Sequence, residues 1–254
     1  MKPASVFRIA CAVACFGAAA QVFAAEPVLR VKAKLTAFDG QVMTLQALSS
    51  PSGVVKEGEP FTVSVLPQTR YVGSDKSSLE AIKVGDYAGA AVTEAKDGGL
   101  RAQEVYLYAP QLRGTGEGRF SEGDRLIVNG TVSAIQPAAN GQKNTKANGS
   151  LTLHYSGAVL SGLGLGRTVC EGRALPPAYA SALACQGDAQ LVVPPGTDVS
   201  SLTVGDKSLL VVGRTVTVAM TKDAGNKNVA PGIVVEKAMA AAQPATVEKP
   251  QSNP

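Results

Sequence analysis

The chain has 254 residues, of which 45% are hydrophobic, and a length that suits one large β domain or two small ones. Its formal net charge is +4, but no segment concentrates the basic residues, so composition does not favour a nucleic-acid-binding protein. With a single histidine, the sequence also lacks the residues of the usual zinc sites and serine or cysteine triads.

The N-terminus has the three-part layout of a secretory signal peptide. Lys2 and Arg8 supply positive charge, residues 9–20 are small and apolar, and small residues precede a cleavage point after Ala24 or Ala25. We therefore predict a leader over residues 1–24 and a periplasmic or secreted mature protein.

Two alternatives to a cleaved leader are an uncleaved membrane anchor and a lipoprotein acylated at Cys15. The apolar run is shorter than the ~20 residues that cross a bilayer. Cys15 follows Ala12-Val13-Ala14, without the leucine usually expected there. No later segment is long and apolar enough to cross a membrane, so we predict that the protein is not an integral membrane protein.

Cys170 and Cys185 are the two cysteines that remain after leader removal. An even pair in an oxidising compartment predicts a disulfide, which would close a loop of about 15 residues. The alternative is a metal or redox pair, but the spacing is not that of a CxxC motif and no second pair completes a zinc site.

Two stretches of the mature chain resemble each other, residues 61–92 and residues 190–219. Each has an apolar strand, a proline, a threonine in a turn, Ser-Leu, Val-Gly-Asp and a second apolar strand. The Val-Gly-Asp motifs are 84–86 and 204–206. Similar strand–turn–strand segments precede both stretches, which indicates an internal repeat.

We predict an all-β protein of two tandem five-stranded, OB-like barrel modules. Short runs alternate between apolar and polar residues, and closing them into barrels removes exposed sheet edges. A β-sandwich across both repeats is the structural alternative. The predicted organisation is repeat 28–109, linker 110–124, repeat 125–237 with a disulfide-tied insert 156–189, and a disordered tail 238–254.

Several segments together resemble a bacterial exported family classed as domain of unknown function 5666. The matching segments are Val31 to Leu45, Pro67 to Val92, Leu100 to Tyr108, Arg113 to Gly118 and Asn129 to Val132. The resemblance implies a small β-barrel module, often repeated, in an exported protein. It implies no reaction, and the long insert in the second repeat departs from the pattern.

The residues offer little catalytic chemistry. His154 lies alone in a predicted strand, where a histidine is usually structural or exposed. Asp86 and Asp206 occupy equivalent places in the two Val-Gly-Asp motifs, which predicts a turn role through bonds to neighbouring amides. No nucleophile–base pair is evident, so we predict a protein that is not an enzyme and that has no cofactor and no metal.

The candidate ligand cleft lies between the modules, near Arg113, Glu117, Arg119 and Tyr108. Paired arginines suit an anion, and clefts between domains often hold ligands. The alternative is that the glycine-containing stretch 113–119 is only a flexible linker. We expect a non-enzymatic binding or interaction module whose partner is an envelope protein or polymer. The second hypothesis is a carrier of a small anion or, less favoured, a metal ion.

Overall fold

A computed structural model of the protein describes residues 29–50, 53–95, 99–122, 125–137, 149–159, 168–170 and 183–237. The predicted leader 1–24 and tail 238–254 lie outside the described residues, as does much of the predicted insert. The described part is all-β, as predicted, and its strands are β1 (Leu29–Phe38), β2 (Val42–Ser49), β3 (Pro60–Lys76), β4 (Tyr87–Glu94), β5 (Leu100–Tyr108), β6 (Gly118–Glu122), β7 (Arg125–Pro137), β8 (Gly149–Val159), β9 (Thr168–Cys170), β10 (Leu183–Val193), β11 (Asp198–Gly205), β12 (Thr215–Lys222) and β13 (Asn228–Glu236).

One barrel is built from both ends of the described chain. Its pairings run β1–β2, β2–β3, β3–β13, β13–β12 and β12–β1, which returns to the first strand. Strict alternation in β1 and β12 turns every second residue inward. The resulting core, which includes Val31, Leu35, Met43, Val218 and Ile233, is that of barrel one.

A second ring of five strands comes from one continuous part of the chain. Its pairings run β4–β5, β5–β10, β10–β8, β8–β7 and β7–β4, and we call it barrel two. Its separate core includes Val92, Val105, Leu151, Leu153 and Tyr155. Between the barrels, β11 pairs antiparallel with β3 and parallel with β5.

The two rings have the same strand order when β7, β8 and β10 are matched with β1, β2 and β3. Hairpin β12–β13 then matches hairpin β4–β5. The predicted repeats 28–109 and 125–237 are therefore not the units that pair. Each repeat supplies three strands to one ring and a hairpin to the other. In the observed pairing, neither repeat closes into a barrel by itself.

The turn before each hairpin supports this match. Gly85 and Gly213 both have φ of 92°, a conformation that favours glycine. The Gly85 amide donates to the Val132 carbonyl at 2.9 Å, and the Gly213 amide donates to the Leu35 carbonyl at 2.7 Å. The structural counterpart of Val84-Gly85-Asp86 is thus Val212-Gly213-Arg214. The equivalence predicted from the sequence, with Val204-Gly205-Asp206, is wrong.

A short 3-10 helix precedes the glycine in each of these turns. These are Leu79–Ala81 and Lys207–Leu209. Leu79 packs against the core of barrel two, and Asp206 precedes the second turn as its N-terminal cap.

Two predicted boundaries fall within strands. The linker 110–124 contains β6, which pairs antiparallel with β7 and parallel with β8. The insert 156–189 begins inside β8 and ends inside β10, because eleven consecutive residue pairs join these strands from Gly149 to Val159. Sequence composition marked both segments as irregular because glycine is frequent in them, but paired backbone tolerates glycine where a neighbour lies close.

Candidate functional site

The loop between β5 and β6 carries most of the predicted site residues. It begins with a 3-10 turn, Pro110–Leu112, and continues through Gly114 and Gly116, whose φ values are 81° and 60°. The Ala109 amide donates to the Leu202 carbonyl of β11 at 2.8 Å. The start of the loop is thus attached to the strand between the two barrels.

Arg113 fastens this loop to barrel two. Its guanidinium donates to the Gly85 carbonyl and, at 3.2 Å, to Thr131 Oγ1. The guanidinium carbon lies 5.9 Å from the centre of the Tyr87 ring, a cation–π arrangement. Arg113 is exposed, and its two terminal nitrogens each donate one hydrogen bond within the protein, out of the five N–H donors of a guanidinium.

A buried polar cluster lies beneath the loop. The rings of Tyr87 and Tyr108 are 5.3 Å apart, and the Tyr108 hydroxyl contacts Asn129 Oδ1 at 3.3 Å. Asn129, 3% exposed, donates from Nδ2 to the Gly116 carbonyl at 2.9 Å. A Cβ atom at Gly89 would lie 2.0 Å from Asn129 Oδ1, so this strand position requires glycine.

Glu117 and Arg119 lie further along, where β6 meets β8. Glu117 Oε1 accepts a hydrogen bond from the Ser156 amide at 2.9 Å. Arg119 is 2% exposed, and its guanidinium carbon lies 5.9 Å from the centre of the buried Tyr155 ring. The structure thus brings Tyr108 and Arg113 together around Tyr87, whereas Glu117 and Arg119 contact a different part of barrel two.

His154 has a carboxylate partner. Its Nδ1 lies 3.0 Å from Asp188 Oδ1, across the β8–β10 pair. Both side chains are about half exposed, on the outer face of barrel two. The pair is a surface feature of two adjacent strands, and no group of three or more metal-binding side chains occurs within the described ranges.

The two cysteines occupy opposing strands. Cys185 in β10 is directly opposite Cys170 in β9, and Cys185 is 4% exposed. A directly opposed antiparallel pair places Cα atoms about 4.5–5.5 Å apart, within the range that a disulfide can bridge.

Three exposed carboxylates have lowered pKa values because they accept hydrogen bonds. The amides of Val42 and Gln41 lower the pKa of Asp39, and Ser208 lowers that of Asp206. The Ser78 hydroxyl lowers the pKa of Glu80. Asp86 Oδ2 also accepts from the Lys83 amide at 2.8 Å. Both aspartates of the Val-Gly-Asp motifs therefore bond nearby amides, although their places in the barrels differ.

Sequence reasoning missed a row of cations on barrel one. Arg30, Lys32 and Lys34 alternate with buried residues along β1 and are all exposed. Lys32 Nζ lies 2.7 Å from Glu236 Oε1, and both side chains are 46% exposed. The signal was present, since alternate residues of a strand share one face, but three charges in five residues did not stand out in the overall charge count.

No family model matches the chain, and neither does any curated protein or solved structure. The resemblance to the exported family stays a prediction from the sequence. No helix in the described part of the chain is long and apolar enough to cross a membrane.

Proposed function

We propose that the protein is a non-enzymatic binding module of the periplasm or the cell exterior, whose partner is an envelope protein or polymer. The row of cations on the outer face of β1 is the observation that carries this proposal. The leader-like N-terminus supports export, and the OB-like strand order of barrel one supports a binding role for its surface.

The uneven distribution of charge between the barrels adds support. Residues 29–76 and 203–237, which hold barrel one, contain eleven basic and seven acidic residues, a net +4. Residues 77–202, which hold barrel two, contain ten basic and eleven acidic residues, a net −1. Because barrel one is assembled from both chain ends, this asymmetry depends on the topology. It favours an anionic partner at barrel one.

Cross-linking in cells tests the proposal. The tagged full-length chain is cross-linked in its envelope, and captured material is identified by mass spectrometry. We expect a reproducible envelope component that a tagged, exported, unrelated barrel of equal net charge does not capture. Capture no greater than that of the unrelated barrel would refute the proposal, as would turnover of a general ester or phosphate substrate panel.

We also propose a disulfide between Cys170 and Cys185. The opposed strand positions and the burial of Cys185 support it. Peptide mass mapping after alkylation without reductant should recover the two cysteine peptides joined. Recovery of both as alkylated thiols from protein purified out of the periplasm would refute it.

The second candidate function is a carrier of a small anion or a metal ion near the junction of the barrels. The attachment of the β5–β6 loop to β11 favours it, because Arg113 and Tyr108 lie on or beside that loop. For an anion such as phosphate, Arg113→Ala should abolish binding measured by calorimetry, whereas Arg101→Ala in β5 should not. Binding that survives Arg113→Ala would remove this candidate.

A further inference from the structure

We infer that the outer face of β1 binds a linear polyanion, a polymer with a carboxylate or phosphate on each repeat unit. This inference rests on the proposed function and names the surface and the chemical class of its partner. The surface consists of Arg30, Lys32 and Lys34, which we call the cation row.

The spacing of the cation row suits a linear chain of charges. Residues two apart on a strand are about 6.6–6.8 Å apart, so the row extends for ~13 Å in a straight line. The strands of a closed barrel hold these backbone positions fixed, and little conformational freedom of the backbone is lost on binding.

The neighbours of the row on β12 are small or polar, whereas on β2 the exposed side chain of Leu48 lies at the register shift beside Lys32. In register on β12, Ala219, Thr217 and Thr215 lie beside Arg30, Lys32 and Lys34 respectively. On the other side, Gln46 of β2 lies beside Lys34. These short neighbours leave the long cationic side chains standing above the sheet, and the hydroxyl and amide groups can add hydrogen bonds to an oxygen-rich polymer.

Glu236 is an acidic group that contacts the row, at Lys32. Both partners are about half exposed, and an ion pair of this kind contributes little because water screens it. A polymer carboxylate or phosphate can therefore replace Glu236 as the partner of Lys32 at small cost.

A polymer fits this face better than a membrane surface does. Binding to a bilayer surface combines cations with large apolar side chains that enter the acyl boundary. The β12 positions beside the row are instead alanine and threonine. On β2, Leu48 is exposed beside Lys32, but the positions described beside the row on β12 hold no large apolar side chain. Charge in single file with so little apolar surface beside it matches a linear partner.

The test uses the full-length mature chain with alginate oligomers and inorganic polyphosphate as probes, and neutral dextran as the reference. The row variant is Arg30→Gln/Lys32→Gln/Lys34→Gln. The matched control is Lys56→Gln/Lys76→Gln/Lys227→Gln, which removes the same charge from exposed positions of barrel one outside the row. Equal melting temperatures establish that both variants fold.

We expect the row variant to bind the anionic probe at least tenfold more weakly, with the control within about twofold of the parent chain. The slope of log Kd against log salt should fall by about two to three in the row variant, because three cations no longer displace counterions. Alginate and polyphosphate separate the carboxylate from the phosphate form of the partner.

Three results would overturn the inference. These are equal loss in row and control variants, no binding of either polymer at low salt, and binding to phosphatidylglycerol vesicles with none to the polymers. In each case, an envelope partner captured equally by the row variant and the parent chain would leave the proposed function standing and would place its surface elsewhere. Loss of all specific capture would remove both proposals.

Discussion

Barrel one and barrel two share a strand order but differ in how the chain builds them. Barrel two is formed by the continuous stretch from β4 to β10, whereas barrel one takes three strands from the N-terminal part and hairpin β12–β13 from the C-terminal part. The strands of barrel two are a circular permutation of those of barrel one. The hairpin comes first along the chain in barrel two and last in barrel one. Hairpin β4–β5 thus completes the ring of β7, β8 and β10, and hairpin β12–β13 completes the ring of β1, β2 and β3.

The barrels also differ in what covers them. Residues Tyr87 to Val92 of β4 are buried on both faces, because the β5–β6 loop and Asn129 cover the outer side. In barrel one the outer residues of β1 are exposed and cationic. The difference explains why the predicted site residues hold barrel two together, whereas the outer face of β1 in barrel one is exposed to solvent.

The largest expected effect comes from cutting the chain at its structural boundaries. A fragment of residues 77–205 contains all five strands of barrel two together with β11, so we expect it to fold alone with a cooperative thermal transition. A fragment of residues 28–109, the first predicted repeat, contains three strands of one barrel and two of the other. We expect it to remain unfolded by circular dichroism and amide proton dispersion.

The reverse result would overturn the pairing described above. If residues 28–109 folded cooperatively and residues 77–205 did not, each repeat would close on itself. The disulfide state must be matched between the fragments, because residues 77–205 contain both Cys170 and Cys185.

A smaller effect on the free energy of unfolding is expected when one glycine in each barrel is replaced by alanine. At Gly130 of β7 an added Cβ would lie 2.3 Å from the His154 carbonyl oxygen, which is backbone and cannot move aside easily. We expect Gly130→Ala to lower the free energy of unfolding by about 1–3 kcal/mol in denaturant titrations. The control is Gly232→Ala in barrel one, where the nearest atom, the Arg70 carbonyl oxygen, is 4.0 Å away. Equal losses in the two variants would contradict the close approach of β7 and β8.

The smallest effect concerns the β1–β2 turn of barrel one. The Asp39 carboxylate accepts bonds from the Val42 and Gln41 amides, which lower its pKa below the usual 3.8. Its contribution to stability is therefore complete above about pH 4 and is lost as the pH falls through the lowered pKa. We expect Asp39→Ala to melt ~2–4 °C lower than the parent chain at pH 7, and the difference to shrink as the pH falls through the lowered pKa of Asp39.

A matched substitution in β11 controls for the general effect of removing a carboxylate. Asp198→Ala changes the same net charge at an exposed position. A difference between Asp39→Ala and the parent chain that stayed constant as the pH was lowered through and beyond the titration of Asp39 would show that the carboxylate bonds are not its cause.

The sequence alone determined the local structure. Alternation of apolar and polar residues predicted β-strands, and the similarity of residues 61–92 and 190–219 predicted two related halves. These features depend on residues that are close in sequence. The composition and the spacing of apolar residues are therefore enough to predict them. The cation row on β1 was equally readable in the alternation of residues 30–34.

Tertiary structure alone decided which hairpin completes which barrel. Both hairpins follow a glycine with φ of 92°, so the turn that precedes each hairpin does not distinguish their destinations. The matching of Val84–Asp86 with 204–206 failed because an identical tripeptide lies at the end of β11 in one place and directly before β4 in the other. The roles of Arg113 and Asn129 were equally hidden, because their partners lie 13 to 28 residues away and meet them only when the ring closes.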